Sequence, residues 1–283
     1  MATDEYYVQS HQHRGQGEAE ENRVYVFSRQ VFFYCNPMDR PVWVETHCCV
    51  LFISAYGVPF EIDFGSTRAG GKALLAGPLV RRKVLAKDAG LVGFYIMPES
   101  PLFAYLANTM PSQGYREIDR GVMDEVNTEL IALYEGRADV QQTLTTAAYL
   151  QRLLAPVAGM SVAGYPAVSP TAGELTQSVR AQRDVSLQQL AELHGISYTR
   201  MSRVFTRHVG LPFREYKNWL KHLNALRLME TGISLTEVAQ EAGFADLAQF
   251  TRIYKRWYGN PPSYVRQQKN IRVFLTPELT SPP

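Results

Sequence analysis

Two eleven-residue stretches, SRVFTRHVGLP at 202–212 and TRIYKRWYGNP at 251–261, match in residue type at most positions. Each sets an arginine second, then a branched aliphatic, an aromatic, a further arginine and a closing Gly-x-Pro. Read as helices, they turn Met201, Val204, Phe205 and Val209, and likewise Phe250, Ile253, Tyr254 and Tyr258, to one apolar face. The opposite faces of the two helices, which begin a few residues before each stretch, carry Thr199, Arg200, Ser202, Arg203 and Thr206 in the first, and Ala248, Gln249, Thr251, Arg252 and Lys255 in the second. Those side chains suit the edges of base pairs. A guanidinium donates two parallel hydrogen bonds to guanine, a carboxamide matches adenine, and a small side chain meets the thymine methyl. Arg207, Lys255 and Arg256 suit phosphate oxygens, as do the backbone N–H groups of helix starts near Ser186 and Ser234. A single basic helix face is commonly no more than solvated surface; its repetition is what argues for a polyanion.

The elements that must carry these faces are duplicated too. SLQQLAELHGIS at 186–197 matches SLTEVAQEAGFA at 234–245. Ser186 with Gln189, and Ser234 with Glu237, have the spacing of a capping box. Gly195 and Gly243 stand where each short helix must stop, and Ile196 and Phe244 fill the corner that follows. The pattern predicts a helix-turn-helix twice over. Between the units, 212–232 predicts one amphipathic connector helix with Tyr216, Leu220, Leu223 and Leu228 as its apolar positions. About nineteen helical residues would rise roughly 28 Å, against ~34 Å between successive major grooves on one DNA face.

Charge follows the same division. Of 283 residues with a net charge of +2, the span from Arg180 to Arg272 holds fifteen Lys and Arg against seven Asp and Glu, leaving the remainder net acidic. A basic part joined to an acidic one fits a polyanion-binding half beside a half that avoids the polyanion. No apolar run is long enough for a transmembrane helix, and the first residues lack the order of a signal peptide. Cys35, Cys48 and Cys49 form neither a zinc spacing nor an even disulfide framework, as in a reducing cytoplasm. The expected localisation is cytoplasmic.

The front of the chain reads differently. Short β-type runs separated by Gly, Pro and Asp fill 24–106, without a helical period. Two helical stripes follow, Val122, Val126, Leu130 and Leu133, then Leu144, Ala147, Ala148 and 150–154. They either pad a β-barrel core or pair with their copies in another subunit. The expected organisation is a disordered tail over 1–22, a sensory and dimerisation domain over 23–155, a Pro/Gly/Ala/Ser-rich linker over 156–174, a DNA-binding domain over 175–270, and a frayed tail over 271–283.

The second unit, with Gly243-Phe244, Tyr254-Lys255-Arg256, Gly259, Pro262 and Arg266, resembles the AraC/XylS family of bacterial transcription regulators, and LAELHGISYTRMSRVFTRHVG at 190–210 is similar to the first unit of that family. The resemblance covers about 183–268. It implies that Thr199, Ser202 and Arg203, and then Ala248, Gln249 and Arg252, are base-reading positions, and that the front half is a cupin-like β-barrel followed by two helices. The fold class is then α+β multidomain, ending in an all-α domain of two helix-turn-helix units joined by the connector. Three positions depart from the pattern: Lys221-His222 in the connector, Val265 before Arg266, and Ala248, too small to hydrogen-bond a base.

The resemblance implies a double-stranded DNA partner, RNA polymerase for an activator, a homodimer, no membrane association, and an unknown small-molecule effector in the barrel. Arg81 and Arg82 are candidate contacts for an anionic effector, with a solvated strand edge as the alternative reading. No metal ligand set and no other cofactor is expected. Two other functions stay open: a regulator whose front half only dimerises, and a cupin-type enzyme fused to a DNA-binding domain.

Overall fold

The computed structural model describes residues 7–8, 22–26, 28, 30–35, 41–86, 88–157, 170–181, 185–229, 231–266 and 271–275. The front half is built on β2 (Asn22–Val26), β3 (Val31–Cys35), β5 (Cys49–Ser54), β8 (Ala73–Ala76), β10 (Leu91–Ile96) and β11 (Tyr115–Glu117). Together with β1 (Tyr7–Val8) and β12 (Ile271–Leu275) they form one eight-stranded sheet in the order β1-β12-β2-β3-β10-β5-β8-β11. A second sheet of four strands runs β4-β9-β6-β7, from β4 (Trp43–Val44), β6 (Phe60–Asp63), β7 (Arg68–Gly71) and β9 (Arg82–Leu85). Every side chain of β5 and β8 is buried, as in a strand covered on both faces. At the centre Phe94 is in register with Phe33 on one side and Leu51 on the other, and the Phe33 and Phe94 rings lie 5.0 Å apart.

The closed barrel expected from the sequence is not what forms. The front half is two open sheets, each ending on a short strand: β11 has three residues and β4 two. Helices cover the large sheet instead. α1 (Pro101–Thr109) crosses β5, α2 (Asn127–Glu135) crosses β10, and α3 (Val140–Val157) packs on α1 and α2. No helix is expected before 106, yet α1 starts on Ser100, whose hydroxyl accepts from Leu102 N–H, with Pro101 at the first helical position. α3 pads the core through Thr143, Thr146, Ala147, Leu150 and Leu154, whereas Leu144 and Ala148, expected inside, are exposed. Val122 is exposed as well, because Arg120–Val126 winds as a 3-10 helix and shifts the expected stripe.

The two ends of the chain also depart from expectation. Tyr7–Val8 and Ile271–Leu275, read as parts of a disordered and a frayed tail, are paired strands; β12 runs parallel to β2 and antiparallel to β1. Most of the rest of both tails lies outside the described residues, as does 158–169 of the linker. Its last residues already belong to α4 (Pro170–Ala181).

The back half is α5 (Leu187–Leu193), α6 (Tyr198–Val209), α7 (Phe213–Met229), α8 (Leu235–Glu241), α9 (Leu247–Tyr258) and the short α10 (Pro262–Arg266). α5 and α8 each open on the capping box read from the sequence. α7 is the connector, seventeen residues or about 25 Å long. Its buried stripe is Tyr216, Trp219, His222 and Ala225, while Leu220, Leu223 and Leu228 are only partly covered. The two helix-turn-helix units are held unequally. Leu187, Leu190, Met201, Phe205 and Val209 of the first belong to one apolar core continuous with the sheets, and Val238, Ala239, Phe244, Phe250 and Tyr254 of the second form a separate cluster.

His222 explains the departure at Lys221-His222. It is fully buried, its Nε2 lies 2.7 Å from the Tyr258 hydroxyl, and the Trp257 ring meets it edge-on. Burial, with His47 nearby, pushes its pKa down to about 3, so the ring is neutral at physiological pH. An unfolded imidazole titrates near ~6.5. The stabilisation that depends on the neutral ring is therefore complete above that value and is lost as pH falls from there toward 3. Urea unfolding of His222→Gln should lose less stability than the parent between about pH 7 and about pH 5.5, by roughly 1 kcal/mol. Equal losses in the two proteins would show that His222 does not titrate across folding.

Candidate nucleic-acid interface

Each candidate reading helix, α6 and α9, begins on a side-chain cap in a solvent-facing turn. Ser197 Oγ accepts from Arg200 N–H at 3.3 Å, and Asp246 Oδ1 from Gln249 N–H at 2.6 Å. Gly195 and Gly243 take the left-handed backbone that the preceding turn requires, with φ of 62° and 86°. From these starts α6 and α9 turn their apolar residues inward. Met201, Phe205 and Val209 are buried in one, and Phe250, Tyr254 and Trp257 in the other. Val204, Ile253 and Tyr258, expected inside, are half-buried.

Thr199, Arg200, Arg203, Ala248 and Arg252 are exposed, and Ser202 and Gln249 half-exposed. Arg200, Arg203, Arg252 and Lys255 take part in none of the ion pairs among the described residues. The two faces differ in what they can offer. Gln249 Oε1 accepts from Ala245 N–H at 2.8 Å, so its carboxamide cannot pair bidentately with adenine while that bond stands. With Ala248 beside it, Arg252 is the exposed arginine that α9 offers. In α6, Thr206 donates back to the Ser202 carbonyl, and Thr199, Arg200 and Arg203 are its most exposed candidates.

The phosphate candidates divide as well. Arg207 and Lys255 are exposed. At Ser186 and Ser234 the capping boxes consume the first and fourth amides of each start, and the Glu237 carboxylate in the second box opposes a phosphate there. Arg256 is not an open phosphate contact. Its guanidinium lies 2.7 Å from Glu215 and 4.0 Å from Glu45 of the front half. Glu215 also accepts from the buried His47 Nε2 at 2.9 Å. Burial lowers the His47 pKa, so the imidazole is a neutral donor; that hydrogen bond, with Arg256 beside it, holds the Glu215 carboxyl at about 2. The ion pair proper is therefore Arg256–Glu215, and His47 adds a charge-assisted hydrogen bond.

The candidate effector residues do not act as a pair. Arg81 is exposed, 4.6 Å over the Trp43 ring. Arg82 is fully buried and donates to the Val80 carbonyl at 3.0 Å and Thr46 Oγ1 at 3.1 Å. It braces the turn before β9 against the segment leading to His47, and an anion cannot reach it without unfolding that turn. No local pattern signals this, because strand alternation alone does not say which of two adjacent arginines turns inward.

A family model described as a helix-turn-helix domain matches residues 190–268, which holds both reading helices. That part of the chain is an AraC/XylS-type DNA-binding domain. The uncharacterized HTH-type transcriptional regulator YpdC of Escherichia coli (strain K12) is 30% identical over 76 residues, 26% of this chain and 27% of that protein. The HTH-type transcriptional activator RhaS of Enterobacter sp. (strain 638) is 28% identical over 88 residues, 31% of this chain and 32% of the relative. The match thus spans about a third or less of each of these curated relatives. ToxT from Vibrio cholerae O395 aligns with 87% of this chain and 96% of its own, at 12% identity and a TM-score of 0.49.

Within the AraC/XylS-type domain, both reading helices meet the front half through the same feature. The last helical turn leaves carbonyls without partners. The Arg207 carbonyl of α6 accepts from Asn108 Nδ2 at 2.7 Å, and the matching Arg256 carbonyl of α9 accepts from Glu45 N–H at 2.7 Å. The glycines that stop the two helices are pressed against the same places. A Cβ on Gly210 would stand 3.0 Å from the Ala104 backbone, and one on Gly259 2.3 Å from Val42 Cγ2. Gly195, by contrast, has a similar φ and nothing within 4 Å. Gly259→Ala should therefore cost more stability in urea unfolding than Gly195→Ala, whose cost is backbone strain alone, of about 1–2 kcal/mol. Equal costs would mean that the Val42 contact adds nothing.

Proposed function

We propose that the chain is a transcription regulator that reads double-stranded DNA with two helices of one protomer, α6 and α9. The observation that carries this reading is the pair of exposed arginine-bearing faces, at Arg200 with Arg203 and at Arg252, on duplicated helix-turn-helix units. The connector supports it: a rigid rise of about 25 Å is short of the ~34 Å between successive grooves, so a bent site suits the pair best. The first unit is the main reader of sequence, because α9 offers one free arginine beside Ala248 and a Gln249 already engaged. The matched family and relatives are regulators rather than enzymes, and among the described residues no three His, Cys, Asp or Glu converge as metal ligands.

Control by a small molecule, action on RNA polymerase and homodimer formation belong to the same proposal. On the front half, a groove of about 460 Å³ is lined by Tyr56, Lys72, Asp119, Arg120, Asp124 and Asn127. Its mixed charge suits a small polar effector better than Arg81 and Arg82 do. Electrophoretic shifts with an operator selected from random DNA test the reading helices. Arg203→Ala should weaken binding about tenfold to a hundredfold and relax preference at one base pair. Arg252→Ala should weaken it by a smaller factor. Unchanged affinity and unchanged sequence preference in both variants would remove α6 and α9 as the reading helices.

A further inference from the structure

The two reading helices are mounted on the front half by matching ends but with different chemistry. The first unit is joined through apolar side chains in one continuous core, and Phe103 of α1 presses on Gly210 where α6 stops. Such a contact opens only at the cost of exposing apolar surface to water. The second unit has its own apolar cluster, and beside the Val42 contact at Gly259 its link to the front half adds polar groups. Glu45 N–H meets the Arg256 carbonyl, the guanidinium lies between Glu45 and the Glu215 of α7 that His47 holds, and the Trp257 ring meets His47 edge-on at 4.4 Å. The joint is imperfectly satisfied: Trp257 Nε1, His222 Nδ1 and Arg256 Nε are buried without a partner.

Arg256 lies four residues beyond Arg252 and one beyond Lys255, so it borders the face that would meet DNA. In this arrangement it is paired with Glu215 of α7, which is itself bonded to His47 of the front half, and lies 4.0 Å from Glu45. The same carboxylates add negative charge around Arg256, against the approach of a phosphate there. We infer that Glu45 and Glu215 act as an internal substitute for a DNA phosphate, Glu45 directly and Glu215 through His47 tying Arg256 and the second reading helix to the front half until DNA or a rearrangement displaces them. This rests on the DNA-binding reading above and adds to it a regulated contact. The first unit stays fixed on the apolar core while the second is exchanged between carboxylate and phosphate. The exchange is favoured by its polar character, because a guanidinium moved from one anion to another loses little hydrogen bonding.

The test is a double-mutant cycle on the full-length chain, with a random-sequence DNA duplex as probe, titrated at low and moderate salt. Glu45→Gln with Glu215→Gln should tighten binding roughly fivefold to tenfold and steepen the salt dependence by about one phosphate contact. Arg256→Ala should change affinity little in the parent but cost roughly fivefold to tenfold in the doubly substituted background. Glutamine at 215 can still accept from His47, and Glu45→Gln alone repeats the cycle should the 215 variant fail to fold. An equal cost of Arg256→Ala in both backgrounds, or no gain from removing the carboxylates, overturns the inference. If Arg203→Ala and Arg252→Ala weaken binding while the cycle shows no coupling, the internal contact alone fails. If they too have no effect, the DNA-binding reading fails with it.

Discussion

One carboxylate, that of Glu215, ties together three parts of the molecule. It sits on the connector α7, accepts from His47 of the front half, and pairs with Arg256 at the end of the second reading helix. A carboxylate this covered is costly to bury unless its lone pairs are used, and here two donors from distant segments use them. The depressed pKa of Glu215 expresses that arrangement: the ionised form is favoured because His47 and Arg256 are both in place. A second carboxylate acts comparably about one turn further along α7, at Trp219. Glu99 of the front half accepts from the Trp219 indole at 2.9 Å and pairs with Arg180 of α4 at 3.0 Å. The connector is therefore more than a spacer, because its buried stripe faces the front half through polar as well as apolar groups.

Duplication gives the back half its logic, and the front half breaks its symmetry. Both units use a capping box, a left-handed glycine in the turn, a side-chain cap on the reading helix and a glycine stop. Both present the same last-turn carbonyl to the front half. The partners differ, Asn108 on α1 in one case and the Glu45 amide beside β4 in the other. The surrounding contacts differ further, apolar in the first and mixed with polar groups in the second. Similar modules thus acquire different attachments because two unlike surfaces receive them.

The chain ends reinforce the front half in a way that local patterns do not encode. β12 occupies the β2 edge and β1 pairs beyond it, so the strand following the DNA-binding part completes the sheet of the other half. A strand edge left open is a liability for association, and covering it intramolecularly removes that edge. A five-residue strand is too short for the sequence to announce on its own, and its partner lies some 250 positions away.

What the sequence determined by itself was everything that depends on local periodicity: the two helix-turn-helix units, their capping boxes and glycine stops, and the exposed faces with Arg200, Arg203 and Arg252. Those features follow from spacing along a helix, which is readable wherever apolar residues recur at three and four. Only the tertiary structure decided which charged residues remain available. Arg82 and Arg256 look no different in sequence from Arg81 and Arg252, yet one is buried under a turn and the other is paired with two carboxylates. It also decided that the front half opens into two sheets rather than one barrel, and that Trp219, His222 and Trp257 form a buried aromatic joint. Those outcomes depend on which distant segments come into contact, and a charge or a ring declares its partner only once the chain has brought the two together.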